Sequence, residues 1–175
     1  MRAFVGVEIP SLESSPRDPA RAPEHLTLRF LGEVGSDRVG PISERLALAV
    51  STLAPFDLRL EGVGAFPSPD APRVVWVGVT QGRSELMDLA NRVREALRGE
   101  GSAPAEGPFV PHATLFRVRS PAAHRAAREL LNGHRPPPAP RTTRVRAVLL
   151  KESVLGPGGA VHRTLGTFPL GNAPA

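Results

Sequence analysis

The chain contains no cysteine, which excludes disulfides, thiolate metal sites and cysteine nucleophiles. Lys151 is its only lysine, and aromatic residues make up just 5% of it. No block of basic residues interleaved with aromatics stands out as a nucleic-acid stripe. No apolar run approaches the ~20 residues that a membrane-spanning helix needs. The opening MRAFVGVEIP lacks the apolar stretch and small-residue cleavage site of a signal peptide. No membrane partner is therefore expected, and the expected compartment is the cytoplasm. A Gly-rich phosphate loop of the Walker type is also missing.

What is present is an apolar content of 41% over 175 residues, enough for a buried core and unlike a disordered chain. The length fits a single domain over residues 1–175, with two lobes. The net charge is +5 and the sequence pI is about 11.2. Such a balance favours polyanions such as RNA. Nearly all of that charge is arginine, and it comes with abundant alanine, glycine and proline. A GC-biased genome produces the same composition, so charge alone does not decide.

Hydrophobic period divides the chain into two similar runs. Residues 2–9 read as a strand, 10–23 as a loop rich in Pro, Ser and charge, and 24–31 as an alternating strand. Ser36 or Asp37 is placed to cap a helix reaching about Leu53, with a stripe at Ile42, Leu46, Ala49 and Leu53. Residues 56–63 and 73–80 read as strands joined through PSPDAP. Residues 83–98 form the clearest helix, with Leu86, Leu89, Val93 and Leu97 on one face. A Gly/Pro loop leads to the strand FVPHATLFRV, and Ser120-Pro121 opens a helix that Gly133 ends. Residues 143–151 and 160–168 read as closing strands around a GPGG turn.

Residues 25–28 read HLTL and residues 112–115 read HATL. On a strand, residues i and i+2 share a face. His25 and Thr27 thus point one way while Leu26, Leu28 and Phe30 point the other; His112 and Thr114 are opposed by Ala113 and Leu115. Two imidazoles suit acid–base chemistry near neutral pH, one as base and one, protonated, as acid. Threonine hydroxyls donate to anionic oxygens. The set suits a phosphoester. It lacks the ligand number and carboxylates of a usual zinc or magnesium site, so no metal and no other cofactor is expected. A third match, HRTL at 162–165, has Arg163 on its opposite face and Gly166 next, so it reads as an edge strand and a coincidence. His124, in the helix opened by Ser120-Pro121, and His134, beside that helix's end, read as solvent-exposed.

These stretches, with HLTLRFLGEV, GVGAFPSPDAPRVVWVGV, FVPHATLFRV and LLKESVLGPGGAVHRTLGTFPL in order, resemble the 2H phosphoesterases, and within them the RNA 2′,3′-cyclic phosphodiesterases, also called 2′-5′ RNA ligases. The resemblance covers almost the whole chain. It implies an α+β, bilobal, duplicated fold: two antiparallel sheets facing a central cleft, helices outside, pseudo-two-fold symmetry. It implies hydrolysis of a 2′,3′-cyclic phosphate RNA end to a 2′-phosphate, His25 protonating the leaving 3′ oxygen, His112 activating water, and Thr27 and Thr114 binding phosphate. Arg29, two residues past Thr27, is expected on the same face and near phosphate. Arg117 matches an arginine common after the second motif, although strand parity turns it away from His112. Phe66 and Phe109 are candidates to stack on a base, with core packing the alternative; Trp76 reads as core. RNA with a cyclic phosphate end, including tRNA fragments, or small cyclic nucleotides are the expected partners of a monomer.

The chain departs from the family in two places. Residues 10–23 read as loop where relatives carry a helix, and His162 stands where relatives usually carry an aromatic. The competing functions are 2′-5′ ligation at the same site and a non-catalytic RNA-binding module.

Overall fold

Arg2–Glu8 (β1) reads RAFVGVE, five buried residues between two exposed charges. A strand buried on both faces belongs in the middle of a sheet, and that is where β1 lies. It pairs on one side with His25–Glu33 (β2) and on the other with Ala147–Gly156 (β7), which in turn pairs with Gly159–Pro169 (β8). The second sheet holds His112–Arg117 (β5), Val74–Gln81 (β4), Phe56–Phe66 (β3) and Arg141–Val145 (β6), in that order. All pairs in both sheets are antiparallel. The computed structural model describes residues 1–10, 12, 24–102, 108–156 and 159–171. The loop read over 10–23, apart from Pro10 and Leu12, lies outside the described residues, as do 103–107 of the Gly/Pro loop and 157–158 of the closing turn.

Among the described residues three α-helices cover the sheets. Val39–Val50 (α1) buries Ile42, Leu46 and Val50. Arg83–Ala96 (α2) buries Leu86, Leu89, Ala90 and Val93. These are the stripes that a 3.6-residue period requires. Pro121–Leu131 (α3) begins as expected: the Ser120 hydroxyl accepts from the Ala123 amide at 3.1 Å, with Pro121 in the first turn. α1 does not begin as expected. Neither Ser36 nor Asp37 caps it; one 3-10 turn at Ser36–Arg38 leads into it. α1 packs on α2, β7 and β8, α2 on β2, and α3 on β3, all around one continuous apolar core.

The expected single strand over 143–151 is two strands. The chain leaves the second sheet after Val145, passes through Arg146, and enters the first at Ala147. β3, from the first half of the sequence, likewise sits in the second sheet. The fold is the α+β, two-sheet, pseudo-symmetric arrangement, but each sheet borrows strands from the other half. The orders β2-β1-β7-β8 and β5-β4-β3-β6 place both His-x-Thr strands at sheet edges, and those edges, β2 and β5, contact each other.

Candidate active site

In β2, His25 lies opposite Glu8 and Thr27 opposite Gly6, while Leu26 and Leu28 are buried. A Cβ on Gly6 would come within 2.7 Å of the Leu26 carbonyl oxygen, so only glycine lets β1 run this close beneath the motif. The His25 ring packs on Phe4, with ring centres 4.8 Å apart. Its other neighbour is His162, which meets it edge-on at 4.8 Å and meets Phe4 at 5.1 Å. Burial, then His162 and Lys151, push the His25 imidazole down to about 4: a desolvated ring beside other cations resists protonation.

In β5, His112 lies opposite Gly78 and Thr114 opposite Trp76, with Ala113 and Leu115 buried. Phe66 meets the His112 ring edge-on at 4.9 Å, and Trp76 lies 6.0 Å away. Trp76 is half-buried beside the motif rather than in the core. Its indole lies across Gly64, where a Cβ would be 2.3 Å from the ring. His112 Nδ1 is 2.7 Å from the Val110 carbonyl oxygen. A carbonyl only accepts, so Nδ1 carries the proton in the neutral ring and Nε2 keeps its lone pair. Burial lowers the affinity of His112 for a second proton; the Val110 carbonyl opposes that and Arg117 adds to it.

Strand parity fails at the same offset in both motifs. Register shifts leave Leu28 unpaired between Thr27 and Arg29, and Leu115 between Thr114 and Phe116. A bulge of one residue reverses which side every later residue faces. Arg29 is therefore turned away from Thr27, contrary to expectation. It is only 7% exposed, and its guanidinium donates to the carbonyl oxygens of Arg94 at 3.0 Å and Glu100 at 2.9 Å. The Glu100 carboxylate in turn accepts from Arg38 and pairs with Arg45 at 3.1 Å. Arg29 is a tie between β2 and the end of α2, not a phosphate ligand. Arg29→Ala should cost about 2–4 kcal/mol in a denaturant melt, because two buried carbonyls lose their donor, with KM little changed. A raised KM at unchanged stability would contradict this.

The same bulge works the other way for Arg117. It opposes Val74, in line with the Trp76–Thr114 and Gly78–His112 pairs, so the parity objection disappears. Phe30, its counterpart five residues after His25, is 63% exposed and packs on Phe4 at 6.2 Å. Phe109 takes the alternative reading: it packs against the core, and among the described residues it makes no ring contact with either histidine.

The third match, read from the sequence as a coincidence, lies against the first. His162 stands opposite Ser153, and Thr164 opposite Lys151, in the sheet that carries His25. Arg163, the residue that argued against a packed strand, is exposed and pairs with Glu152 across the strands at 2.7 Å. The signal available in the sequence was the shared parity of His162 and Thr164; what was missing was the knowledge that β8 joins the sheet of β2. Among the described residues no three His, Asp or Glu side chains converge as metal ligands do. No helix of the described residues is long and apolar enough to cross a membrane.

Comparison with known proteins gives one answer. The model of the 2′-5′ RNA ligase superfamily matches residues 7–153. An RNA 2′,3′-cyclic phosphodiesterase of Aeropyrum pernix is 38% identical over 145 residues, covering 81% of this chain and 78% of the relative. One of Archaeoglobus fulgidus is 39% identical over 146 residues, covering 82% and 78%. Escherichia coli LigT, solved with 3′-AMP, superposes with a TM-score of 0.73 at 26% identity, covering 97% of each chain. The chain therefore belongs to the 2′-5′ RNA ligase superfamily of 2H phosphoesterases, with the RNA 2′,3′-cyclic phosphodiesterases, and is an enzyme of that hydrolase group.

Proposed function

We propose that the protein hydrolyses the 2′,3′-cyclic phosphate at an RNA end to a 2′-phosphate, with His112 and His25 acting as one acid–base pair. The observation that carries this reading is the hydrogen bond from His112 Nδ1 to the Val110 carbonyl. It leaves Nε2 as the basic nitrogen. In the reaction, Nε2 of His112 takes a proton from water as the water oxygen bonds to phosphorus. The bond from phosphorus to O3′ breaks, and protonated His25 delivers its proton to O3′. The products are a 2′-phosphate and a free 3′-hydroxyl. Proton transfer of this kind contributes about 10²–10⁴-fold. Thr27 and Thr114 donate hydrogen bonds to the non-bridging oxygens, Arg117 adds positive charge beside His112, and Phe66 borders the pocket for the base.

His25 must be protonated to act as the acid, yet without ligand it is held down to about 4. A phosphodiester anion beside the ring reverses part of that effect, since an opposite charge favours the charged form. Binding of substrate thus charges its own acid. Two bell-shaped profiles are expected, with the one for kcat/KM displaced to lower pH than the one for kcat, because the first reports free enzyme and the second the complex. Both should survive excess EDTA. Coincident profiles, or loss of activity with the chelator, would contradict the mechanism.

A further inference from the structure

At Glu8, the residue opposite His25, the first sheet borders a cavity of about 680 Å3, well within the range of small-ligand sites. Its walls join two parts of the fold: β7 and β8 on one side, and the crossing segment from β6 into β7 on the other. Lys151, Arg144 and Arg146 supply cations, Thr143 and Thr164 supply hydroxyls, and Glu8 supplies one carboxylate. Arg144 is already tied to Asp57 at 3.0 Å.

Residues that line this cavity are strand neighbours of those around His25. Glu8 is the cross-strand neighbour of His25. Lys151 is the cross-strand neighbour of Phe4, whose ring packs on His25. Thr164 lies opposite Lys151 and two residues from His162, which closes over the same ring. The third His-x-Thr therefore bridges the two places, with its histidine on His25 and its threonine in the cavity wall.

We propose that this cavity is a second ribonucleotide phosphate site, holding the nucleotide 5′ to the cyclic end, so that RNA chains are preferred over free cyclic mononucleotides. This rests on the phosphodiesterase reading above. A cyclic phosphate closes the 3′ end of its strand, so every other phosphate of that strand lies to its 5′ side. Cations with hydroxyls match a phosphodiester anion. The lone carboxylate offers an acceptor to a ribose 2′-hydroxyl, the group that separates RNA from DNA.

The test compares a nucleoside 2′,3′-cyclic monophosphate with a trinucleotide ending in the same cyclic nucleotide. In the intact protein, kcat/KM for the trinucleotide should be greater by about tenfold or more, the value of a charged hydrogen-bonded contact. Arg146→Gln and Lys151→Gln should each lower that ratio several-fold, and the double variant should bring it close to one. Equal kcat/KM on the two substrates, or a preference that survives the double variant, would overturn the proposal. The 2′-phosphate products of both, bound by the same variants and followed by fluorescence anisotropy, separate this from the activity. Absence of turnover on either substrate would refute the phosphodiesterase reading. Tighter binding of the trinucleotide, lost in the double variant, would still support the cavity; equal binding would refute it.

Discussion

Replacing either His25 or His112 with alanine should lower kcat on a cyclic phosphate end by about 10²–10⁴-fold, and replacing both should cost little more than the worse single change. In the proposed mechanism each imidazole handles one proton of the same step, so the second loss falls on a pathway already broken. The folds of both variants should persist, because each ring is only half-buried on an edge strand while the apolar side chains beside it, Leu26 and Ala113, hold the strand to the core. His112→Ala also leaves the Val110 carbonyl without its donor, so a stability loss of about 1 kcal/mol is expected there. Multiplicative losses in the double variant would mean that the two histidines act independently. Full activity in either single variant would remove that residue from the chemistry.

A second change should act mainly on the pH profile. His162 and Lys151 both oppose protonation of His25. His162→Phe keeps an aromatic edge against His25 and Phe4 but removes a titrating neighbour. The pKa of His25 should then rise, and the alkaline limb of kcat/KM should move to higher pH with kcat nearly unchanged. His162→Ala also raises it, since water reaches the ring and burial is the larger cause of the depression. It additionally removes a ring packed against His25, so kcat should fall by up to about tenfold through looser placement of the proposed acid. A pH profile superimposable on that of the parent protein in both variants would show that His162 only fills space. Stability follows the opposite sense. With its folded pKa below the unfolded one, His25 contributes no penalty above about 6.5, and it costs stability as pH falls from there towards about 4.

The sequence was readable wherever one period rules. Ile42 and Leu46 in α1, or Leu86, Leu89 and Val93 in α2, need only a 3.6-residue repeat to be placed on a buried face. His25 with Thr27, and His112 with Thr114, need only the two-residue repeat of a strand. Reading failed where a single residue breaks the repeat. The bulges at Leu28 and Leu115 exchange the sides of Arg29 and Arg117, and nothing in HLTLRF or HATLFR marks the extra residue. Reading also failed where the outcome depends on pairing between distant strands. The crossing at Arg146 sends one apparent strand into two sheets. The same event brings β8, and with it His162, into the sheet of His25, more than 130 positions away in the chain. Arg163 looked like poor packing only because its partner, Glu152, was not known to face it.

The most direct measurement uses a short RNA ending in a 2′,3′-cyclic phosphate, incubated with the protein in excess EDTA and followed by phosphorus NMR. The expected result is a 2′-monophosphate with a free 3′-hydroxyl, formed by the parent protein and not by His25→Ala or His112→Ala. A cyclic end that stays intact, a 3′-phosphate product, or turnover that persists in either variant would contradict the two-histidine account.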